Sequence, residues 1–124
     1  MTAFAHALAT GPDWKAIIAQ ISASLPDREN HEGRLGLVYA TEPLAADFPN
    51  IVATLREVTG IPHWVGCVGL GVCGEGQEHH EQPALSVLLT PWREDTFRVF
   101  QSISSSDDLP RALSDSWFED NGPL

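Results

Sequence analysis

The chain has 124 residues, 43% of them hydrophobic and 19% charged, with four Trp and five Phe. That length suits one domain, and the composition supplies enough apolar surface for a core. A formal net charge of −10, with seven Lys and Arg scattered along the chain, argues against nucleic acid and against an anionic membrane surface, because phosphate binding needs clustered cations.

The opening residues Met1 to Thr10 carry no basic group ahead of a short apolar run, so they make a poor secretory leader. No stretch reaches the roughly 20 apolar residues of a membrane span. Two cysteines do not build a disulfide framework, and the default reading is a cytoplasmic protein with reduced thiols.

Phe4 to Ala9 reads as a short strand or an apolar lead-in. Thr10-Gly-Pro-Asp13 is a helix start with Asp13 as the cap, and Trp14, Ile17, Ile18, Ile21 and Leu25 then fall on one face until Pro26. Asp27 to Gly33 is a polar connection. Leu35 to Ala40 is continuously apolar, as expected of a strand covered on both faces.

Pro43 marks a helix beginning, and Leu44, Phe48, Ile51, Val52, Leu55 and Val58 keep helical period to Gly60. Pro49 places the true start near Asp47, with the proline in the first turn. Ile61 to Val68 is the next strand, followed by a glycine-rich polar loop and a strand at Ala84 to Leu89. Phe97 to Ile103 alternates and predicts a further strand. A loop at Ser104 to Pro110 leads to a last helical turn at Arg111 to Phe118. The order of elements indicates an α/β or α+β fold, helices packed on a mixed β-sheet, in a single compact domain spanning residues 1–124.

The segment from Ile61 to Pro91 concentrates the chemistry. Gly66, Gly69, Gly71, Gly74 and Gly76 lie there with Cys67, Cys73, His63, His79 and His80. Glycines at this density suit a backbone shaped around a ligand or a neighbouring strand. Gly69 to Gly74 matches G-x-G-x-x-G, yet a dinucleotide site needs a helix opening at the third glycine, and a polar, proline-terminated stretch follows instead. The cysteines are separated by five residues and the histidines are adjacent, which fits zinc spacing poorly. A nucleophilic Cys73 with His79 or His63 would lack a third orienting residue and an oxyanion device. No convergent acid, base and nucleophile can be named, and the expected protein is not an enzyme. Cys67 reads as a small core hydrophobe, Trp64 and Trp92 as core or rim aromatics, and Glu75 to Glu81 as a solvated turn.

Leu35-Gly-Leu-Val-Tyr-Ala40, the helix ending Leu55-Arg-Glu-Val-Thr-Gly60, Val65-Gly-Cys-Val-Gly-Leu-Gly71, Gly74-Glu-Gly76 and Pro83 to Leu89 together resemble the N-terminal FIST domain, the sensory module of F-box and intracellular signal transduction proteins. The resemblance covers about residues 35 to 91. It implies a non-catalytic sensor of amino acids or other small molecules, coupled to a signalling partner such as a histidine kinase. Some family members bind haem and sense nitric oxide. No cofactor is required by the resemblance, and it carries the haem ligand onto no numbered histidine.

FIST proteins are usually longer than this chain, so an assembly between copies is one way to complete the sheet, and a bare sheet edge would favour a homodimer. The leading expectation places a small-molecule ligand at Gly66, Cys67, Gly69, Gly71, Cys73, Gly74 and Gly76, whose amides suit a carboxylate or other anion. His63, His79 and His80 are the candidates for haem or metal. The alternatives are a non-catalytic interaction or scaffold module and a haem-based nitric oxide sensor.

Overall fold

The computed structural model describes residues 4–26, 32–74, 77–80, 82–100, 105–108 and 110, with the backbone alone for 73, 74, 77–80 and 108. Gly76, Glu75 and Glu81 of the glycine segment, most of the 27–33 connection, residues 101–104 and the helical turn expected at 111–118 lie outside the described residues.

Strand β1 (Ala5–Thr10) opens the fold and leads through Gly11-Pro12 into helix α1 (Trp14–Ser24). Asp13 Oδ1 accepts from the Ala16 N–H at 2.8 Å, an N-cap of the expected kind. Ile17, Ile18 and Ile21 are buried, and Trp14 and Leu25 pack at the margins of the same stripe. The Leu25 N–H closes the helix on the Ile21 carbonyl at 3.1 Å, directly ahead of Pro26.

After β2 (Leu35–Thr41), both prolines are used. Pro43 sits in the first turn of a 3-10 stretch, Glu42–Asp47, and Pro49 in the first turn of α2 (Phe48–Thr59). Gly60 ends α2 at φ 73°, left-handed backbone that suits glycine, and its N–H donates to the Arg56 carbonyl at 3.0 Å. Strands β3 (His63–Gly69), β4 (Gly71–Gly74), β5 (Gln77–His80) and β6 (Ala84–Leu89) follow.

The four-stranded sheet has the order β1-β6-β2-β3. Strands β2 and β3 are parallel, joined by the α2 crossover, and β6 inserts antiparallel between β1 and β2. A separate antiparallel hairpin, β4–β5, stands between β3 and β6 in the chain. The structure is thus a single compact α+β domain, two helices on a mixed four-stranded sheet.

The period of two divides the sheet sharply. Ala7, Ala9, Val38, Ala40, Leu85, Val87, Leu89 and Trp64 share one side with the buried residues of both helices in one core cluster. Their neighbours one position away, among them His6, Leu37, Tyr39, Cys67, Ser86 and Leu88, take the other side. Buried threonines pin β6 to β2 at both ends. Thr41 Oγ1 accepts from the Ala84 N–H at 2.9 Å and donates to the Gln82 carbonyl at 2.6 Å, while Thr90 Oγ1 donates to the Leu35 carbonyl at 2.8 Å.

Four expectations are corrected here. The glycine segment is not an irregular polar loop: β4 and β5 pair within it, from Gly71↔His80 to Gly74↔Gln77. The polar run Gln77–His80 has no apolar alternation to signal a strand. Residues 97–100 are not a strand either. A 3-10 turn at Glu94–Thr96 precedes them, Phe97 sets its ring edge-on to His63, and Val99 and Phe100 line a recess with Trp64 and α2. Strand β2 is covered by helices on one side only, with Tyr39 exposed on the other. Cys67, finally, is exposed and is no core residue.

Candidate functional site

The side of the sheet away from the helices is roofed by the β4 arm of the hairpin. Beneath it lies a cavity of about 360 Å³. Its floor comes from alternate residues of four strands: His6 on β1, Ser86 and Leu88 on β6, Tyr39 on β2, Cys67 and Gly69 on β3; Gly71 and Val72 of β4 close the top. Register explains the gathering. Ser86, Tyr39 and Cys67 are partners in one row across β6, β2 and β3, and His6 pairs with Leu88 in the next row.

One polar contact marks this floor. His6 Nε2 and Ser86 Oγ share a hydrogen bond at 3.0 Å. Ser86 is 6% exposed, so a hydroxyl in a largely apolar strand is held at the cavity floor within reach of an imidazole. Burial of a hydroxyl is tolerable when it is hydrogen-bonded, as here. Val72, 7% exposed, is a buried residue of the roof.

The glycines part into different roles. Gly69 and Gly71 flank Leu70, which is 77% exposed where the chain leaves β3 for β4, and both line the cavity. Gly66 does not line it. On the helix side, a Cβ added at Gly66 would stand 1.6 Å from the Val38 carbonyl oxygen, so this glycine permits close packing of β3 on β2. Gly36 acts similarly for Trp64, whose ring would lie 2.5 Å from an added Cβ. Cys73 and Gly74 belong to β4, with Cys73 opposite Glu78 in register. Of the candidate ligand residues, the cavity brings Cys67, Gly69 and Gly71 together; only the backbone is described at Cys73 and Gly74, and Gly76 lies outside the described residues.

Of the candidate histidines, His63 does not converge with them. His63 starts β3, four residues and about 13 Å along the strand from Cys67. Its Nε2 meets Glu94 Oε1 at 3.2 Å, and Arg34 Nε lies 3.6 Å from the same oxygen. That end of the sheet forms a second, charged recess of about 370 Å³ lined by Glu32, Arg34, Arg93 and Glu94. His79 and His80 lie on β5, opposite Val72 and Gly71. Among the described residues there is no group of three or more His, Cys, Asp or Glu that could hold a metal. None of their helices is long and apolar enough to cross a membrane.

Sequence reasoning missed His6, Tyr39, Ser86 and Leu88. His6 and Tyr39 sit outside the 61–91 segment: β2 pairs Tyr39 directly with Cys67, and β6, inserted between β1 and β2, brings in His6. The available signal was Ser86, a lone hydroxyl in the apolar run Ala84–Leu89.

These features define a small α+β domain whose helix-free sheet face carries a hairpin-roofed cavity. The FIST N domain family model matches residues 34–117, more than half of the chain, and the chain belongs to that family. The family places it with the sensory domains of signal transduction. Comparison with curated proteins and with solved structures returns no significant match.

Proposed function

We propose that the domain is a non-catalytic sensor that binds a small molecule in the cavity between the hairpin and the helix-free face of the sheet. The observation that carries this reading is the cavity's composition. Residues of the glycine segment, Cys67, Gly69, Gly71 and Val72, meet the buried Ser86 and its half-buried partner His6 there. Ligand sites of this kind are concave, mostly apolar and furnished with a few placed polar groups, in volumes of about 300–1,000 Å³.

A serine and a histidine 3.0 Å apart also resemble the start of a nucleophile–base pair. Ser86, however, sits within β6, which is laddered on one side to β1 and on the other to β2. Its strand amides are committed to those ladders and supply no oxyanion hole. No cofactor enters the reading. A haem at His63 would have to displace Glu94 and Phe97 from the ring, and His63 is remote from the cavity.

Thermal-shift titration of the purified chain against amino acids and uncharged small metabolites tests the proposal. A binder should raise the melting temperature progressively with concentration, since ligation of the native state adds RT ln(1 + [L]/Kd). Leu88→Trp, which fills the cavity, should abolish the response while leaving a cooperative melt. An equal response in Leu88→Trp, or none in the native chain, would sink the idea.

An interaction module is the second reading. The observation in its favour is the β3 edge, where Val65 is 37% and neighbouring Phe100 42% exposed. It predicts concentration-dependent self-association or capture of a signalling partner with no ligand response.

A further inference from the structure

We infer that the ligand of the hairpin-roofed cavity is a small uncharged molecule, apolar over most of its surface with one hydrogen-bonding group, and not an amino acid or other carboxylate. This rests on the ligand-binding reading above and names the class of molecule.

The lining is the first observation. Among the described residues, no carboxylate, ammonium or guanidinium borders the cavity. Its polar atoms are an imidazole, a hydroxyl, a phenol and a thiol, all able to exchange hydrogen bonds as neutral groups. The second observation does not depend on side-chain placement. From Glu57 to Trp92 the sequence contains no Lys or Arg, and β3, β4, β5 and β6 all fall within that stretch. A carboxylate entering beneath the hairpin would leave water without gaining a fixed cation from any of these four strands, a strongly unfavourable exchange. Glu75, Glu78 and Glu81 add negative charge to the same segment, within a chain of net charge −10.

The cations that do gather are elsewhere. Arg34 and Arg93 line the charged recess beside His63, already matched there by Glu32 and Glu94. The third observation is the layout of the cavity itself. The hydrogen-bonded His6–Ser86 pair sits at one place on the floor, while Leu88 and Val72 face the remaining space. With Tyr39 and Cys67 in the same row as Ser86, that surface complements a mostly apolar body whose polar group meets the His6–Ser86 pair. A volume of about 360 Å³ limits the ligand to modest size.

Cys67 supplies the reporter, because its exposed thiol borders the cavity. The full chain is alkylated with iodoacetamide, and modification of Cys67 is followed by fragment-ion mass spectrometry, which separates it from Cys73 within the same peptide. Two matched probe sets are compared. One is 3-phenylpropan-1-ol, phenethylamine, 3-phenylpropionate and phenylalanine; the other is 4-methylpentan-1-ol, isopentylamine, 4-methylpentanoate and leucine. Weak, millimolar protection is expected of ligands with so few atoms. The alcohols should protect Cys67 at concentrations about tenfold or more below those of their charged counterparts. Ser86→Ala should weaken protection by the alcohol about fivefold, the effect of one neutral hydrogen bond.

Better protection by an amine, a carboxylate or an amino acid than by the matched alcohol would overturn the uncharged class and leave cavity binding standing. No protection by any member of either set, with no thermal shift, would remove both. The comparison among probes uses the unaltered chain, so it holds whether or not a variant folds.

Discussion

On the helix side of the sheet, Ala7, Val38, Ala40, Val87 and Leu89 are at most 2% exposed, in one cluster with Ile17, Ile21, Ile51 and Leu55. One residue further along the same strands, His6 and Leu88 are half-buried, Tyr39 is 41% exposed and Cys67 is open to solvent. The backbone hydrogen bonds are common to both sides; only the side chains differ. The helix side is closed by packing and the other side is closed by a hairpin that leaves space. Stability and recognition are thereby assigned to alternate residues of the same strands, which allows either to be changed with limited damage to the other.

The largest effect should follow from opening the packed side. Ile51 on α2 is fully buried, and Ile51→Ala should cost about 4 kcal/mol, within the usual range for large-to-small core changes. Urea unfolding should show a large fall in midpoint with an unchanged slope. A loss below about 1 kcal/mol would mean that the helices are not the main source of stability, and the contrast between the sides would fail.

Gly66→Ala tests the same side from the backbone. The added methyl would press on the Val38 carbonyl, and the strands must separate or twist to admit it. A destabilisation of about 3 kcal/mol is expected, at the upper end for overpacking. Ligand response in the folded fraction should survive, because Gly66 does not border the cavity. Loss of binding with native stability would instead place this glycine in the site.

The open side should behave in the opposite way. Ser86→Ala removes the 3.0 Å contact to His6 and should cost about 1 kcal/mol of stability. Its larger consequence should be for the ligand, measured by thermal shift against the unaltered chain. A variant with full stability loss but intact binding would reduce the His6–Ser86 pair to a structural contact.

Much of this contrast was legible before folding. The stripe of Ile17, Ile18 and Ile21, the cap at Asp13, the stop at Gly60 and the span of β6 all follow from local rules of period, capping and positive φ. What local pattern could not carry was register. Nothing near Ser86 in sequence announces that it will share a row with Tyr39 and Cys67, since that depends on β6 inserting between β1 and β2. The β4–β5 hairpin was hidden for another reason. Its second strand is polar throughout, so the backbone pairs where the side chains give no alternation. Gly66 and Gly69 looked alike as glycines of one segment, yet only a position against the Val38 carbonyl distinguishes the packing glycine from the cavity glycine.

The smallest effect separates the charged recess from the hairpin-roofed cavity. His63 and Glu94 are 41% and 57% exposed at the side chain, and Arg34 shares the same carboxylate oxygen. Exposed pairs of this kind contribute about 0–1 kcal/mol and are screened by salt. His63→Ala should therefore lower the unfolding free energy by no more than about 0.5 kcal/mol, with the difference shrinking further at high ionic strength. Cys67 protection by uncharged probes should be unchanged, because about 13 Å of β3 separates the two positions. A large loss of protection in His63→Ala would tie the charged recess to the cavity, making the strand between them a conduit and not a divider.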